Sequence, residues 1–341
     1  MNQFKLIFRP LGMIPRYVLQ REDGAEIEIL SGFGCGLNAW RVPVENTQDN
    51  RNTTFLDVLF GYRDEQTLRQ TSADTNAGCR LSPFPGRVGF AQFNWKGANY
   101  KLVNNVSWAP HALHGFLQNL EWGFDSYESD SDGCTAVFTC DWPGAFPGFP
   151  FPYRATTTVH FTGESVTINS SVLNTGKTEL PYSEGWHPYF TLGQKIDGLS
   201  LTLPRTSLAV LDKDDLPTGN FKEDTRFVNG RNINDEFIND CFCLEKEFTQ
   251  LPASDSDFIN NAHVQLESDR FSLDFWQKAG HDGYNAIQIY TPPSRDSIAI
   301  EPMTAEPDAL NHHRGLIIIP PSEERTFTFG FHFREKKGIE L

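Results

Sequence analysis

The chain has 341 residues, with 29 basic against 44 acidic side chains and a formal charge of −15. A field of that sign repels a phosphate backbone and an anionic bilayer surface, which argues against nucleic acid and membrane as partners. The length permits one or two domains with a large core, and the chain shows no composition break to mark a boundary, so a single domain over residues 1–341 is expected.

Taken in order, the N-terminal MNQFKLIFRPLG has an apolar run broken by Arg9 and Pro10, too short for a leader or a membrane span. A cytoplasmic protein is the expectation. The stretch WPGAFPGFPFPY at 142–153 is rich in proline and glycine, but its aromatic side chains point to an ordered loop or edge segment leading into a strand. Period-two alternation then marks strands at TTTVHF (156–161) and SVTINSSV (165–172), with turns at GES (163–165) and NTGKTE (174–179). The acidic DKDDLPTGN (212–220) reads as a solvated turn. Alternation returns at FSLDFW (271–276) and TFTFGFHF (326–333), on either side of the DGYN turn at 282–285.

No segment keeps a 3.6-residue apolar stripe over four turns. With 28 Phe, 9 Tyr and 7 Trp to fill the space between packed sheets, the expected class is all-β, a large antiparallel β-sandwich with few short helices. The six cysteines are scattered and form no CxxC pair, so free thiols are expected and no metal. Cys241 and Cys243 would share one face of a strand. His312 and His313 are adjacent and would point apart on an extended chain, which makes them a polar loop rather than a ligand pair.

Ionisable side chains in apolar surroundings mark the candidate site. Glu301 in SIAIEPMT alternates against Ile298 and Ile300, with Pro302 expected to end the pairing, and partial desolvation there raises a carboxyl toward the range of a general base. An exposed strand-end carboxylate is the plainer alternative. His187 in SEGWHPYF precedes a proline that favours extended backbone, and it is either an acid/base group or a hydrogen-bonded core histidine. His114 in HALHGF is followed by a glycine that allows a tight turn aiming the ring into a cleft, or leaves it exposed on the turn. Arg87 in SPFPGRVGF presents a fork for hydroxyls or a structural ion pair, Asp240 in INDCFCL an acceptor for vicinal hydroxyls, and Gln288 in AIQIY an amide.

In chain order, GAEIEILSGFGCGLNAWRVP with LDVLFGY, GRVGFAQFNWKGANYKLVNN with HALHGF, INSSVLNTGKTELPYSEGWHPYF, and AIQIYTPPSRDSIAIEPMT together resemble the aldose 1-epimerase (galactose mutarotase) family over most of the chain. The resemblance implies the galactose mutarotase-like supersandwich, an isomerase needing no cofactor or metal, and a small-molecule sugar such as galactose or glucose as its only partner beyond a possible second copy of itself. It also implies residue roles: Glu301 as base on the anomeric hydroxyl, His187 as acid toward the ring oxygen, and His114 as a hydrogen-bonding group near that oxygen. An acid has to hold its proton at rest, and the cleft's carboxylates and the net negative field are expected to keep His187 protonated. Arg87, Asp240 and Gln288 would bind hydroxyls. Gly86 stands where many members carry Asn, and HGF replaces HGG, which bears on sugar preference. The rival readings are a hexose 6-phosphate mutarotase and a non-catalytic sugar-binding protein of the same fold.

Overall fold

The computed structural model describes residues 3–45, 54–144, 148–244 and 261–336. Its backbone is the nine-stranded antiparallel sheet that the alternating segments build. In spatial order the strands are Gly123–Ser129, Cys134–Trp142, Tyr153–Phe161, Ser165–Asn174, Glu324–Glu335, Phe271–Lys278, Asn261–Glu267, Ser200–Thr202 and Arg231–Asn232. Tyr153–Phe161 and Ser165–Asn174 bury every second residue, so one face of the sheet is core and the other is wet.

Two further sheets cover the core face. A five-stranded meander, Phe4–Phe8 through Thr54–Asp57, lays Trp40 against Phe331 at 5.0 Å between ring centroids. The second runs Pro217–Asp224, Thr206–Leu211, Asn239–Leu244, Ala286–Tyr290, Ile298–Met303, Gly185–Trp186 and Arg80–Leu81, again antiparallel throughout. Phe327, Phe329 and Phe331 alternate along Glu324–Glu335 and meet Tyr182 of a separate two-stranded ribbon and Trp186 and Phe190 of this second layer at 6.3, 5.6 and 5.2 Å. Aromatic pairs across two facing sheets are the packing that the composition anticipates.

Three local outcomes differ from the sequence reading or refine it. Residues 212–216 form the turn of a hairpin whose second strand, Pro217–Asp224, takes in the rest of the acidic patch. Of the aromatic stretch at 142–153, residues 145–147 lie outside the described residues, while Phe149 and Phe151 are buried as an ordered segment requires. An eleven-residue helix, Glu65–Thr75, escaped the pattern because Leu68 is its one buried residue, too little for an apolar stripe. Among the described residues no helix is long and apolar enough to cross a membrane.

Candidate active site

The face of the second sheet turned away from the core carries a cavity of about 390 Å³. Strand alternation decides which side chains reach it. In Ile298–Met303, Ile298 and Ile300 are fully buried in the core, each contributing about 2–3 kcal/mol of apolar burial, and Glu301 and Met303 line the cavity. Gln288 lies directly opposite Glu301 on Ala286–Tyr290 and so shares its face.

Pro302 does not end the pairing as expected: Ile287 pairs with Pro302 and Ala286 with Met303. The interruption falls instead on the other neighbour. Gly185 pairs with Met303 and Tyr189 with Ala299, so Trp186, His187 and Pro188 arc across the intervening positions, where Pro302 has no N–H to offer. That arc turns Trp186 into the core and His187 into the cavity. The His187 N–H donates to the Cys79 carbonyl at 3.0 Å and its carbonyl accepts from the Gly78 N–H at 2.8 Å, and its ring stacks on Tyr189 at 4.9 Å.

His187 Nε2 and Glu301 Oε1 stand 3.4 Å apart, both nearly sealed from solvent. Burial pushes the Glu301 carboxyl well above its ordinary value and brings His187 down to about 4. The expectation of a protonated resting His187 is thereby corrected: desolvation outweighs the chain's negative field and favours the neutral imidazole, while the same burial favours the protonated form of Glu301.

His114 arrives from a tight turn in which it and Gly115 both have left-handed backbone, φ 60° and 68°. A Cβ at position 115 would lie 2.1 Å from the Ser82 carbonyl oxygen, so only glycine fits. The Gly86 N–H donates to His114 Nδ1 at 3.1 Å, which leaves Nε2 to carry the proton of the neutral ring. Burial, with His187 and Arg87 adding to it, holds His114 well below its ordinary pKa, and its ring meets that of His187 edge-on at 5.4 Å.

Arg87 lines the same cavity, with its guanidinium 5.3 Å from the Trp108 ring and 3.3 Å from Asp215. Gln288 Nε2 donates to Asn239 Oδ1 at 2.9 Å. Glu301, His187, His114, Arg87 and Gln288, spread widely in sequence, therefore converge on one cavity. Asp240 is not among its lining residues. On Asn239–Leu244, Asp240 pairs opposite Ile289 on the core side and accepts from Arg226 Nη2 at 2.6 Å, and its neighbour Asn239, opposite Tyr290, faces the cavity. The correction follows from the period of two that placed Glu301 correctly. The sequence reading also missed Asn76, Trp108, Tyr189 and Tyr290, all on the cavity wall. Tyr189, two residues after His187, and Tyr290, two residues after Gln288 on one strand, were within reach, but Trp108 in a loop and Asn76 at a helix end are brought there by the tertiary fold.

Behind the cavity, Arg80 and Glu184 form an ion pair at 2.6 Å with both side chains fully buried. Glu184 also accepts from the hydroxyls of Tyr182 at 2.7 Å and Tyr284 at 2.6 Å, and Arg80 donates to the carbonyls of Thr156 and Ser171 in the nine-stranded sheet. Burial, the largest single influence, would lower the arginine's pKa, but Glu184, Tyr182 and Tyr284 together outweigh it and the net shift is upward. Elsewhere, Cys241 is buried and Cys243 half-buried on one strand face, both free, while His312 bonds the Pro307 carbonyl and His313 packs against Trp95.

A family model described as aldose 1-epimerase matches residues 15–332. The chain is 27% identical over 300 residues to the Escherichia coli strain K12 protein YphB, covering 79% of this chain and 90% of that protein. Among solved structures, a galactose mutarotase-like protein from Clostridium acetobutylicum superposes with a TM-score of 0.78 at 15% identity, over 98% of this chain and 99% of that one. The galactose 1-epimerase from Lactobacillus acidophilus NCFM gives 0.73 at 16% identity, over 99% of each chain.

Proposed function

Because the chain belongs to the aldose 1-epimerase family, we propose that it interconverts the α and β anomers of a free aldohexose such as galactose or glucose by acid/base ring opening. The observation that carries this reading is the buried His187 and Glu301 pair, 3.4 Å apart on the wall of one cavity. Mutarotation needs one proton removed from the C1 hydroxyl and one delivered to the ring oxygen. Glu301 is the base and His187 the acid.

The pair shares a single mobile proton. Sugar hydroxyls entering the cavity stabilise its ionic arrangement, with the carboxylate accepting from the C1 hydroxyl and His187 Nε2 donating to the ring oxygen. As the C1 proton passes to Glu301 and the Nε2 proton to the ring oxygen, the ring opens and the pair returns to the neutral arrangement that burial favours. Rotation about C1–C2 and the reverse transfers close the ring on the other face. His114 donates from Nε2 near the ring oxygen, and Arg87 and Gln288 hold hydroxyls, with Asn239 taking the place first given to Asp240.

Polarimetry tests the reading: the protein accelerates the decay of optical rotation of fresh α-D-galactose or α-D-glucose, and His187→Asn, confirmed as folded, loses that acceleration. A His187→Asn variant with unchanged kcat and pH profile would remove the acid from the scheme.

A further inference from the structure

We propose that the side-chain amide of Asn76 is a hydroxyl-binding group of the sugar site, an inference that rests on the reading of the cavity as a sugar site. Asn76 closes the helix Glu65–Thr75 with left-handed backbone, φ 48° and ψ 29°. Its backbone is fully used there: the N–H donates to the Ser72 carbonyl at 2.8 Å and the carbonyl accepts from the Cys79 N–H at 3.2 Å. Its amide is not. The side chain makes no hydrogen bond to any described residue, although the residue is only 7% exposed and that exposure lies on the cavity wall.

Capping does not explain the choice of residue. A left-handed cap favours glycine first and tolerates asparagine, and nothing in the cap bonds seen here involves the amide. An amide offers two donors and an acceptor, and one that lines the cavity without a partner among the described residues suits a ligand that both donates and accepts. A sugar hydroxyl does both. The location agrees, because Gly78, two residues on, fixes the His187 carbonyl, and Asn76 therefore borders the segment that delivers the proposed acid.

Asn76→Gly separates the two roles, since it preserves the left-handed cap and deletes the amide. Calorimetric titration of D-galactose, D-glucose and their monodeoxy derivatives into both proteins, beside thermal melting, reads the result. The expectation is an unchanged melting temperature with about 3- to 10-fold weaker sugar binding, the loss typical of one neutral hydrogen bond. One deoxy sugar in the panel is expected to bind both proteins equally, because it lacks the hydroxyl that the amide holds. Asn76→Asp, which keeps the shape and the turn preference but removes both donors, is expected to weaken binding likewise. Equal affinity of Asn76→Gly and the wild type for every sugar would overturn the inference and leave the amide as part of a cap. Binding by the wild type without any mutarotation would sink the proposed activity alone, and no binding of either parent sugar would sink both.

Discussion

Glu184 and Glu301 are both sealed from water on adjoining segments, at 0% and 2% exposure, yet their surroundings differ in kind. Glu184 is saturated: Arg80 donates two hydrogen bonds to it and two tyrosine hydroxyls one each. Glu301 has among the described residues only an imidazole 3.4 Å away, and no guanidinium to hold its charge. Burial with full compensation makes a structural carboxylate that locks two sheets together. Burial without it makes a carboxyl whose proton is available to a ligand, and the difference lies in the partners rather than in depth.

The comparison is sharpest when each carboxylate is neutralised. Glu301→Gln is expected to lower kcat about 10²- to 10⁴-fold while leaving the protein at least as resistant to denaturant, since a buried acid is replaced by an amide of its shape. Polarimetry with parallel urea melts checks both halves, and wild-type kcat would discard the base assignment. Glu184→Gln should invert this pattern: stranding the Arg80 guanidinium costs about 3–5 kcal/mol of stability, read from the urea midpoint. Pairing Arg80→Met with Glu184→Leu is expected to recover most of that loss, because it removes the buried charge along with its partner.

The next test is by pH. Below about pH 4 His187 gains a proton beside an already protonated Glu301, and the base is lost. Above the raised pKa of Glu301 the pair has no proton left, and the acid is lost. The profile of kcat/KM is therefore expected to be a bell, with its acid limb near pH 4 and its alkaline limb displaced above the usual carboxylate range. An acid limb at the ordinary histidine pKa would mean that His187 is not desolvated as described.

The smallest expected effect concerns the neighbours Asn239 and Asp240. Asn239→Ala should raise KM several-fold by removing the partner of Gln288. Asp240→Ala should leave KM unchanged and cost at most about 1 kcal/mol of stability, as its bond to Arg226 is partly exposed. The reverse outcome would return Asp240 to the sugar.

That pair also shows what the sequence could and could not disclose. The sheet-rich architecture and the placement of Glu301 opposite Ile298 and Ile300 were legible, because a period of two is written locally in the side chains. The same rule applied to INDCFCL would have put Asp240 on the face that carries Ile238 and Phe242 and Asn239 on the other. Its acceptor chemistry and the roles implied by the family resemblance drew attention to the aspartate instead. Tyr290 was legible by the same rule, two residues from Gln288 on one strand, whereas Trp108 lies in a loop with no local signal and Asn76 stood at the end of a helix with almost no apolar face. The charge state of His187 was the least legible, being set by the depth at which the chain's arc leaves the ring.

The register that sets Gln288 opposite Glu301 has a practical consequence for anyone remodelling this protein. Losing or gaining one residue in Ile298–Met303 would exchange the two faces, dropping a carboxyl among the phenylalanines and offering isoleucines to the ligand. No intermediate register exists, so the chemistry is digital along these strands. Substrate range is open to gradual adjustment only through point substitutions on the outward face and through changes in the arcs and caps around the rim.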